Sequence, residues 1–222
     1  MKTIRLCLCL CVLGCVNSLF AQEETEGNGM LFPRFESGSV VFKGGTRTSA
    51  LLNYSMIQQE MLFINVDSTV LALANLSEIL AVVINNRRFV PASSDGIFYE
   101  EKEAGVNSFF VQRKAIFLSE GKAAGYGGYS TTSAITSVKT LYNGTGRVQD
   151  LHLDEKFKMK VEYYYYLKSG NSYKKFFSVK TLGKLFKGQE AKIEEFAKEQ
   201  SINFSKTEDV ARIVEYGYSL TK

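Results

Sequence analysis

From Ala50 to Leu118 the chain runs ALLNYSMIQQEMLFINVDSTVLALANLSEILAVVINNRRFVPASSDGIFYEEKEAGVNSFFVQRKAIFL. The apolar residues in this stretch form short runs of strand length and do not show the spacing of an amphipathic helix. Asn, Asp, Ser and Gly, which tolerate turn conformations, separate the runs. Pro91 closes one of them, and because proline lacks the N–H that a sheet needs, that strand should end there. The stretch therefore predicts an antiparallel β-meander.

Strand character continues on both sides of this stretch. Val40 to Lys43, followed by the Gly44-Gly45 turn, predicts a first hairpin, and Lys158 to Leu167 predicts a later strand. Together these segments indicate one β-rich domain over residues 31–177.

The period becomes helical from Ser178 onward. Ser178 is expected to cap a short helix, and Gln189 to Gln200 predicts a second helix. Ser205 stands three residues before Glu208, which is the spacing of a capping box, and predicts a third helix. The predicted fold class is therefore α+β, with antiparallel β-meander sheets followed by a short C-terminal helical segment, residues 178–222, packed on them.

The N-terminal segment has the layout of a secretory signal peptide over residues 1–21. Lys2 and Arg5 precede an apolar stretch, and Ala21 offers a small residue for cleavage. The alternative is a lipobox ending at Cys15, whose thiol would then carry the lipid. Residues 22–30 are polar and glycine-rich and predict a flexible leader.

Composition limits the chemistry that the exported chain can perform. All four cysteines lie before Ala21, so cleavage there removes disulfides, thiolate nucleophiles and Cys-based metal sites. Lys2 and Arg5 carry one positive charge each, and their loss lowers the formal net charge from +4 to +2. This charge does not favour nucleic acid as a partner.

The segment from Gly121 to Ala134 predicts a long loop of unusual composition. Its glycines permit close backbone approach and its aromatic rings can stack on a ligand, although a plain connection would have the same composition. With two arginines from the meander, the candidate binding residues are Tyr126, Gly127, Gly128, Tyr129, Arg87 and Arg88.

A weak metal-site pattern lies at Asp150, His152 and Asp154, which would share one face of a strand. The alternative is an ordinary half-exposed strand with its polar side outward. No cofactor is predicted.

Catalysis is the alternative class of function. With His152 as the single histidine and no Gly-x-Ser-x-Gly elbow, a serine triad is disfavoured. Paired carboxylates could still support a small envelope hydrolase, with His152 as a further candidate residue. Such a pair could come from Glu100, Glu101, Glu103, Asp150, Asp154 and Glu162.

A basic run accompanies the aromatic residues near the start of the helical segment. It favours attraction to an anionic glycan or to lipid headgroups, hence possible peripheral membrane contact, whereas the alternative is a set of solvated faces. Its members are Lys174, Lys175, Lys180, Lys184 and Lys187.

Several segments resemble a family of uncharacterised secreted proteins of Bacteroidetes. They are Leu31-Phe-Pro-Arg-Phe35, Leu51-Leu-Asn-Tyr54, Arg87-Arg-Phe-Val90, Gly125-Tyr-Gly-Gly-Tyr-Ser130 and the closing helices. The resemblance covers most of the mature chain and implies the periplasm or outer-membrane surface of a Gram-negative envelope, without an assigned activity. Asp67-Ser68-Thr69 is similar to the O-glycosylation pattern of that phylum, with Ser68 as acceptor.

Taken together, the sequence favours a secreted envelope protein that binds another protein or a glycan without catalysis. The oligomeric state is left open.

Overall fold

A computed structural model describes residues 29–92, 96–124, 128–130 and 155–221. Within these ranges, one antiparallel sheet, three α-helices and a short 3-10 helix (Leu76–Glu78) account for the regular structure, which confirms the predicted α+β fold class. The strands are β1 (Glu36–Phe42), β2 (Arg47–Ser55), β3 (Glu60–Ile64), β4 (Val70–Ala72), β5 (Ile79–Ile84), β6 (Arg87–Pro91), β7 (Phe98–Ala104), β8 (Asn107–Ala124), β9 (Gly128–Ser130), β10 (Glu155–Ser169) and β11 (Ser172–Phe176). The helices are α1 (Val179–Gly183), α2 (Glu190–Glu199) and α3 (Thr207–Ser219).

The sheet consists of two meanders that meet at β1. Its strand order is β11-β10-β8-β7-β6-β5-β1-β2-β3-β4, and β9 pairs with β8 outside this path. Strands β1 to β4 are neighbours in sequence, as are most strands from β5 to β11. The pairing of β1 with β5 joins the two meanders, and β8 with β10 is the other pair of neighbours on the path that are not consecutive in sequence.

Tight turns fix the register of the second meander. Asn85 and Asn86 join β5 to β6 with φ of 47° and 61°, the left-handed conformation that a two-residue hairpin of this type requires. Gly105, at φ 60°, starts the equally short turn between β7 and β8. Strand β6 ends at Pro91, as its missing N–H predicts.

The glycine-rich segment is more regular than its composition predicts. Residues 121–124 continue β8, and Gly128–Ser130 forms β9, which pairs with β8 through Lys122↔Ser130 and Ala124↔Gly128. The prediction of a loop over Gly121 to Ala134 is therefore wrong for these residues. Pairing with β9 and β10 gives the backbone of β8 hydrogen-bond partners that composition does not reveal.

The helix caps confirm one prediction and correct another. At α1, the Ser178 side chain accepts from the Thr181 N–H, and Thr181 reciprocates in a capping box. At α3, the expected capping box between Ser205 and Glu208 is wrong, because the helix starts at Thr207 and Lys206 occupies its cap without a side-chain bond.

Hydrophobic packing divides into two cores. The first lies in the β1 to β7 half and is built around Leu52, Tyr54, Val82, Phe89 and Phe98. The second lies where the helices cover the sheet, and joins Phe109, Val111, Tyr165 and Phe176 to Leu182, Phe186, Ile193, Val210, Ile213 and Val214. The helical segment is thus held on one face of the sheet at its β7-to-β11 end.

Candidate functional site

Arg87 and Arg88, two of the candidate binding residues, lie on opposite faces of the sheet. Successive residues of a strand alternate between faces, and the observed ion pairs follow this rule. The Arg87 side chain bonds Glu100, whereas Arg88 Nε donates to Glu101 Oε2 at 2.8 Å. The two arginines therefore belong to two separate sites.

On the face that carries the helices, four charged side chains meet in what we call the charged seam: Arg87, Glu100, Lys102 and Arg113. Arg87 donates through Nε and Nη2 to the two Glu100 oxygens, both at 2.9 Å. Lys102 Nζ lies 2.7 Å from Oε1, and Arg113 Nη1 donates to Oε2. Glu100 is 1% exposed, so three cations surround one buried carboxylate.

Strand alternation explains why these charges gather between the two cores. Along β7, Phe98 belongs to the first core and Ala104 to the second, and Glu100 and Lys102 occupy the same-face positions between them. Along β8, Arg113 likewise separates Ala115 in the first core from Val111 in the second. The charged seam is the boundary between the cores.

Aromatic rings flank the guanidinium groups of the seam. The Arg87 guanidinium lies 5.0 Å from the centre of the Phe32 ring and 5.6 Å from that of Phe89, and Arg113 lies 5.6 Å from that of Tyr163. Such cation–π contacts stabilise a cation that has lost part of its water. They also hold the guanidinium planes in fixed orientations.

The electrostatic environment keeps Glu100 ionised. Burial alone would raise the pKa of this carboxyl group, but the charge of Arg113, the hydrogen bond and charge of Arg87, and the charge of Lys102 outweigh it and lower the pKa to about 2. A carboxyl group with so low a pKa is a poor proton donor near neutral pH. Glu100 is therefore unsuited to be the general acid of a glycoside hydrolase.

Tyr54 links β7 and β8 beside the charged seam, at the point where the two strands separate. Its hydroxyl lies 3.4 Å from the Phe98 carbonyl oxygen and 3.3 Å from that of Arg113, so its single proton is shared between two strands. Burial raises the pKa of Tyr54, and the charge of Arg113 opposes the rise only in part. Sequence reasoning missed Tyr54, because the residues it joins lie 44 and 59 positions away.

On the opposite face lies a cluster that we call the tyrosine face: Tyr99, Phe110, Tyr164, Tyr166 and Tyr173. The rings of Tyr99 and Tyr166 stack with centres 4.4 Å apart and planes 13° apart. The Tyr173 ring meets both Tyr99 and Phe110 edge-on, at 5.1 and 5.0 Å. The result is a continuous aromatic layer across β7, β8, β10 and β11.

Two buried glutamine side chains, joined by a hydrogen bond, hold Tyr166 in this layer. The Tyr166 hydroxyl donates to Gln112 Oε1 at 2.7 Å, and Gln112 Nε2 donates in turn to Gln59 Oε1. Burial raises the pKa of Tyr166, and the adjacent Tyr99 raises it further. Tyr166 therefore remains a neutral phenol over the whole physiological range.

The tyrosine face also carries positive charge. Lys175 Nζ lies 3.7 Å from the centre of the Tyr164 ring. Strand register places Lys114 and Lys168 on the same face, since Lys114 pairs with Glu162 and Lys168 with Tyr173. Aromatic rings and lysines are thus interleaved on one surface, which they share with the carboxylates of Glu101 and Glu162.

A cleft of about 650 Å³ lies elsewhere, near the connection from β6 to β7. Lys43 and Glu60 supply its charges, and Glu60 is the one carboxylate in its described lining. The cleft does not present the pair of carboxylates that glycoside hydrolysis requires. Its other lining residues are Leu73, Ala74, Asn75, Leu76, Ser77, Pro91, Ala92 and Gly96.

Most of the remaining sequence candidates lie outside the described residues. This applies to Cys15, Tyr126, Gly127, Asp150, His152 and Asp154. Gly128 and Tyr129 are in β9. Ser68 is exposed in a turn at φ 60°, where Asn65 Oδ1 accepts from the N–H groups of Asp67 and Thr69. The glycosylation of Ser68 stays a prediction.

The described part of the chain contains no cluster of three or more His, Cys, Asp or Glu residues placed to hold a metal ion. None of its helices combines the length and the hydrophobicity needed to cross a bilayer.

No family model, no curated protein and no solved structure matches this chain.

Proposed function

We propose that this chain is an exported, non-catalytic binding module of a Gram-negative envelope, and that it binds an acidic polysaccharide through the tyrosine face. Support for export comes from the sequence: the signal-peptide layout ending at Ala21 and the resemblance to secreted Bacteroidetes proteins. Support for the ligand class comes from the site.

The observation that carries the proposal is the layer of aromatic rings interleaved with lysines. Tyrosine combines a large apolar ring with a polar tip, so it can contact both the C–H surface and the hydroxyls of a sugar. Lys175, above the Tyr164 ring, and Lys168 beside Tyr173 supply positive charge for a uronate carboxylate. The helices pack on the other face of the sheet, and the tyrosine rings of this layer are partly exposed, whereas Phe110 beneath them is buried.

The arrangement of Glu100 and Glu101 favours binding over hydrolysis. Glu100 and Glu101, adjacent in β7, lie on opposite faces and so do not form a pair across one substrate. Each is neutralised by arginine, Glu100 by Arg87 and Arg113, and Glu101 by Arg88. For Glu100, these cations outweigh the burial that would otherwise raise its pKa toward that of a catalytic acid.

Adjacent residues on opposite faces provide matched variants for a test. Lys175→Ala and Tyr164→Ala alter the tyrosine face, whereas Lys174→Ala and Tyr163→Ala make the same changes on the other face. Affinity electrophoresis in gels containing polygalacturonate, with neutral dextran as reference, measures binding.

We expect polygalacturonate to retard the native protein, and each tyrosine-face variant to weaken binding about tenfold. The matched variants should bind as the native protein does. Equal retardation of Lys174→Ala and Lys175→Ala, or retardation by dextran as strong as by polygalacturonate, would contradict the proposal. Detection of the mature protein only in the cytoplasmic fraction would contradict export.

A further inference from the structure

The charged seam has an excess of positive charge that the protein does not neutralise. Within the described ranges, Glu100 is the one acidic side chain at ion-pair distance from Arg87, Lys102 and Arg113. Three positive charges against one negative charge leave the cluster at +2. Because aromatic side chains surround much of it, bulk water screens this charge only in part.

Glu100 has no acceptor capacity left for these cations. An ionised carboxylate offers about four lone-pair sites. Arg87 uses two of them, Lys102 one and Arg113 one. The guanidinium groups and the ammonium group carry more N–H donors than these contacts employ, so some donors remain unused.

Two of the three cations are partly exposed to solvent, and both lie beside the same oxygen of Glu100. The side chains of Arg87 and Lys102 are 24% and 33% exposed, whereas that of Arg113 is 10% exposed. Arg87 Nε and Lys102 Nζ both contact Glu100 Oε1, at 2.9 and 2.7 Å, so the two groups are close neighbours. A single small anion can therefore reach both.

The orientation of Arg87 is fixed before any ligand arrives. Its two bonds to Glu100 and its position beside the rings of Phe32 and Phe89 hold the guanidinium plane in place. Glu100 occupies the Nε and Nη2 side of this guanidinium, and the remaining edge, formed by Nη1 and Nη2, suits oxyanions, because it offers paired donors with little loss of side-chain entropy.

We propose that the charged seam binds a dianionic tetrahedral oxyanion, such as phosphate, sulfate or a phosphate monoester, through Lys102 and Arg87. A dianion balances the charge of +2, and its oxygens accept the donors that Glu100 leaves unused. The site is separate from the tyrosine face, which lies across the sheet.

Isothermal titration of the purified protein with sodium phosphate and sodium sulfate, at constant ionic strength in sodium chloride, tests the proposal. We expect saturable binding of both anions. Lys102→Met should weaken it about tenfold or more, and Lys102→Arg, which keeps the charge, should retain it. Lys102→Met leaves both arginines on Glu100, and circular dichroism checks that the variant folds.

Arg88→Met is the control, because it removes a positive charge next to Arg87 in β6 but on the other face of the sheet, where Arg88 pairs with Glu101. It should bind phosphate as the native protein does. A third titration, with glucose 6-phosphate, distinguishes the sources of the oxyanion. Binding equal to that of phosphate supports a phosphorylated sugar as ligand, and weaker binding supports the free anion.

Three results would overturn the proposal: no saturable binding of phosphate or sulfate by the native protein at millimolar concentrations, unchanged binding by Lys102→Met, or equal weakening by Arg88→Met. The polygalacturonate assay remains independent of these results. Lys102→Met should be retarded normally there, so failure at one site is distinguishable from failure at the other.

Discussion

The energetic effect of Glu100 depends strongly on the charged side chains around it. It is buried and ionised, and cations from β6, β7 and β8 approach it. Neutralising it would leave three cations partly buried without an opposite charge, and unpaired buried charges are far more costly than lost surface pairs.

We therefore expect Glu100→Gln to lower the free energy of unfolding by roughly 3 kcal/mol at pH 7. Glu101→Gln, which breaks only the half-exposed pair with Arg88, should cost less than about 1 kcal/mol. Urea denaturation followed by circular dichroism measures both. Equal losses in the two variants would show that burial of Glu100 has no special effect.

The low pKa of Glu100 also gives a pH dependence of stability. The pKa is about 2 in the folded chain, against an ordinary value of 4.5. Stabilisation from this ionised group is complete above about pH 4.5 and is lost as the pH falls toward 2.

The loss amounts to roughly 3 kcal/mol at its acid limit. Gln does not ionise in this range, so the unfolding free energy of Glu100→Gln should not show this loss. The curves of unfolding free energy against pH for the native protein and the variant should therefore converge toward pH 2. Urea midpoints at pH 6 and pH 2.5 provide the comparison. Parallel curves between pH 6 and pH 2.5 would contradict a low pKa of Glu100.

Part of the arrangement of the charged seam can be predicted from the sequence. The two-residue turn that begins at Gly105 fixes the register of β7 with β8, and so places Glu100 beside the strand that carries Arg113. The longer connection between β6 and β7 fixes no register, which is why Arg87 could be named as a candidate but not paired with Glu100. Tyr54 gave no local signal because its partners are distant in sequence.

At the scale of elements, the two serines that the sequence predicts as caps differ, because only Ser178 caps a helix. Ser178 accepts from the Thr181 N–H at 3.2 Å, whereas the α3 cap position belongs to Lys206 and has no side-chain cap bond. Asp209 instead accepts from the Asn203 N–H at 3.0 Å and holds the entry to α3.

Ser178→Ala should therefore lower the unfolding free energy by about 1 kcal/mol. Ser205→Ala, at the position where sequence spacing predicted a cap, should stay within about 0.5 kcal/mol of the native protein. Thermal unfolding of both variants provides the measurement. A larger loss of unfolding free energy for Ser205→Ala than for Ser178→Ala would contradict the finding that Ser178 caps a helix and Ser205 does not.

Elements were predictable where the signal is local. Asn85-Asn86, Pro91 and Ser178 each act within a few residues, and each ends or starts an element where the sequence predicts. The strand character of residues 121–124 was missed because it depends on pairing with β9 and β10, not on side-chain preference.

At the scale of the whole molecule, the antiparallel meander and the closing helices follow from the sequence, but the joining of two meanders through β1 and β5 does not. That pair brings Gly38 next to Ile84, far apart along the chain. No turn fixes its register, so only the packing of the complete sheet can select it.

The division into two cores should be visible in hydrogen exchange. In the native protein at neutral pH, we expect amides of β5 and of α3 to exchange with similar protection, since the charged seam couples the cores. In Glu100→Gln, the protection of the two regions should differ by about tenfold or more. Mass spectrometry of peptides from both regions measures this. Equal protection in the variant would mean that the sheet alone couples the cores.

The position of the charged seam also has a mechanical consequence. The backbone ladder runs unbroken from β11 to β4, but the apolar packing above it is interrupted at β7 and β8. Close-packed apolar side chains resist small displacements, whereas the attraction between charges changes gradually with distance. The sheet should therefore bend most easily along the seam, with each core moving as a rigid body on either side of that line.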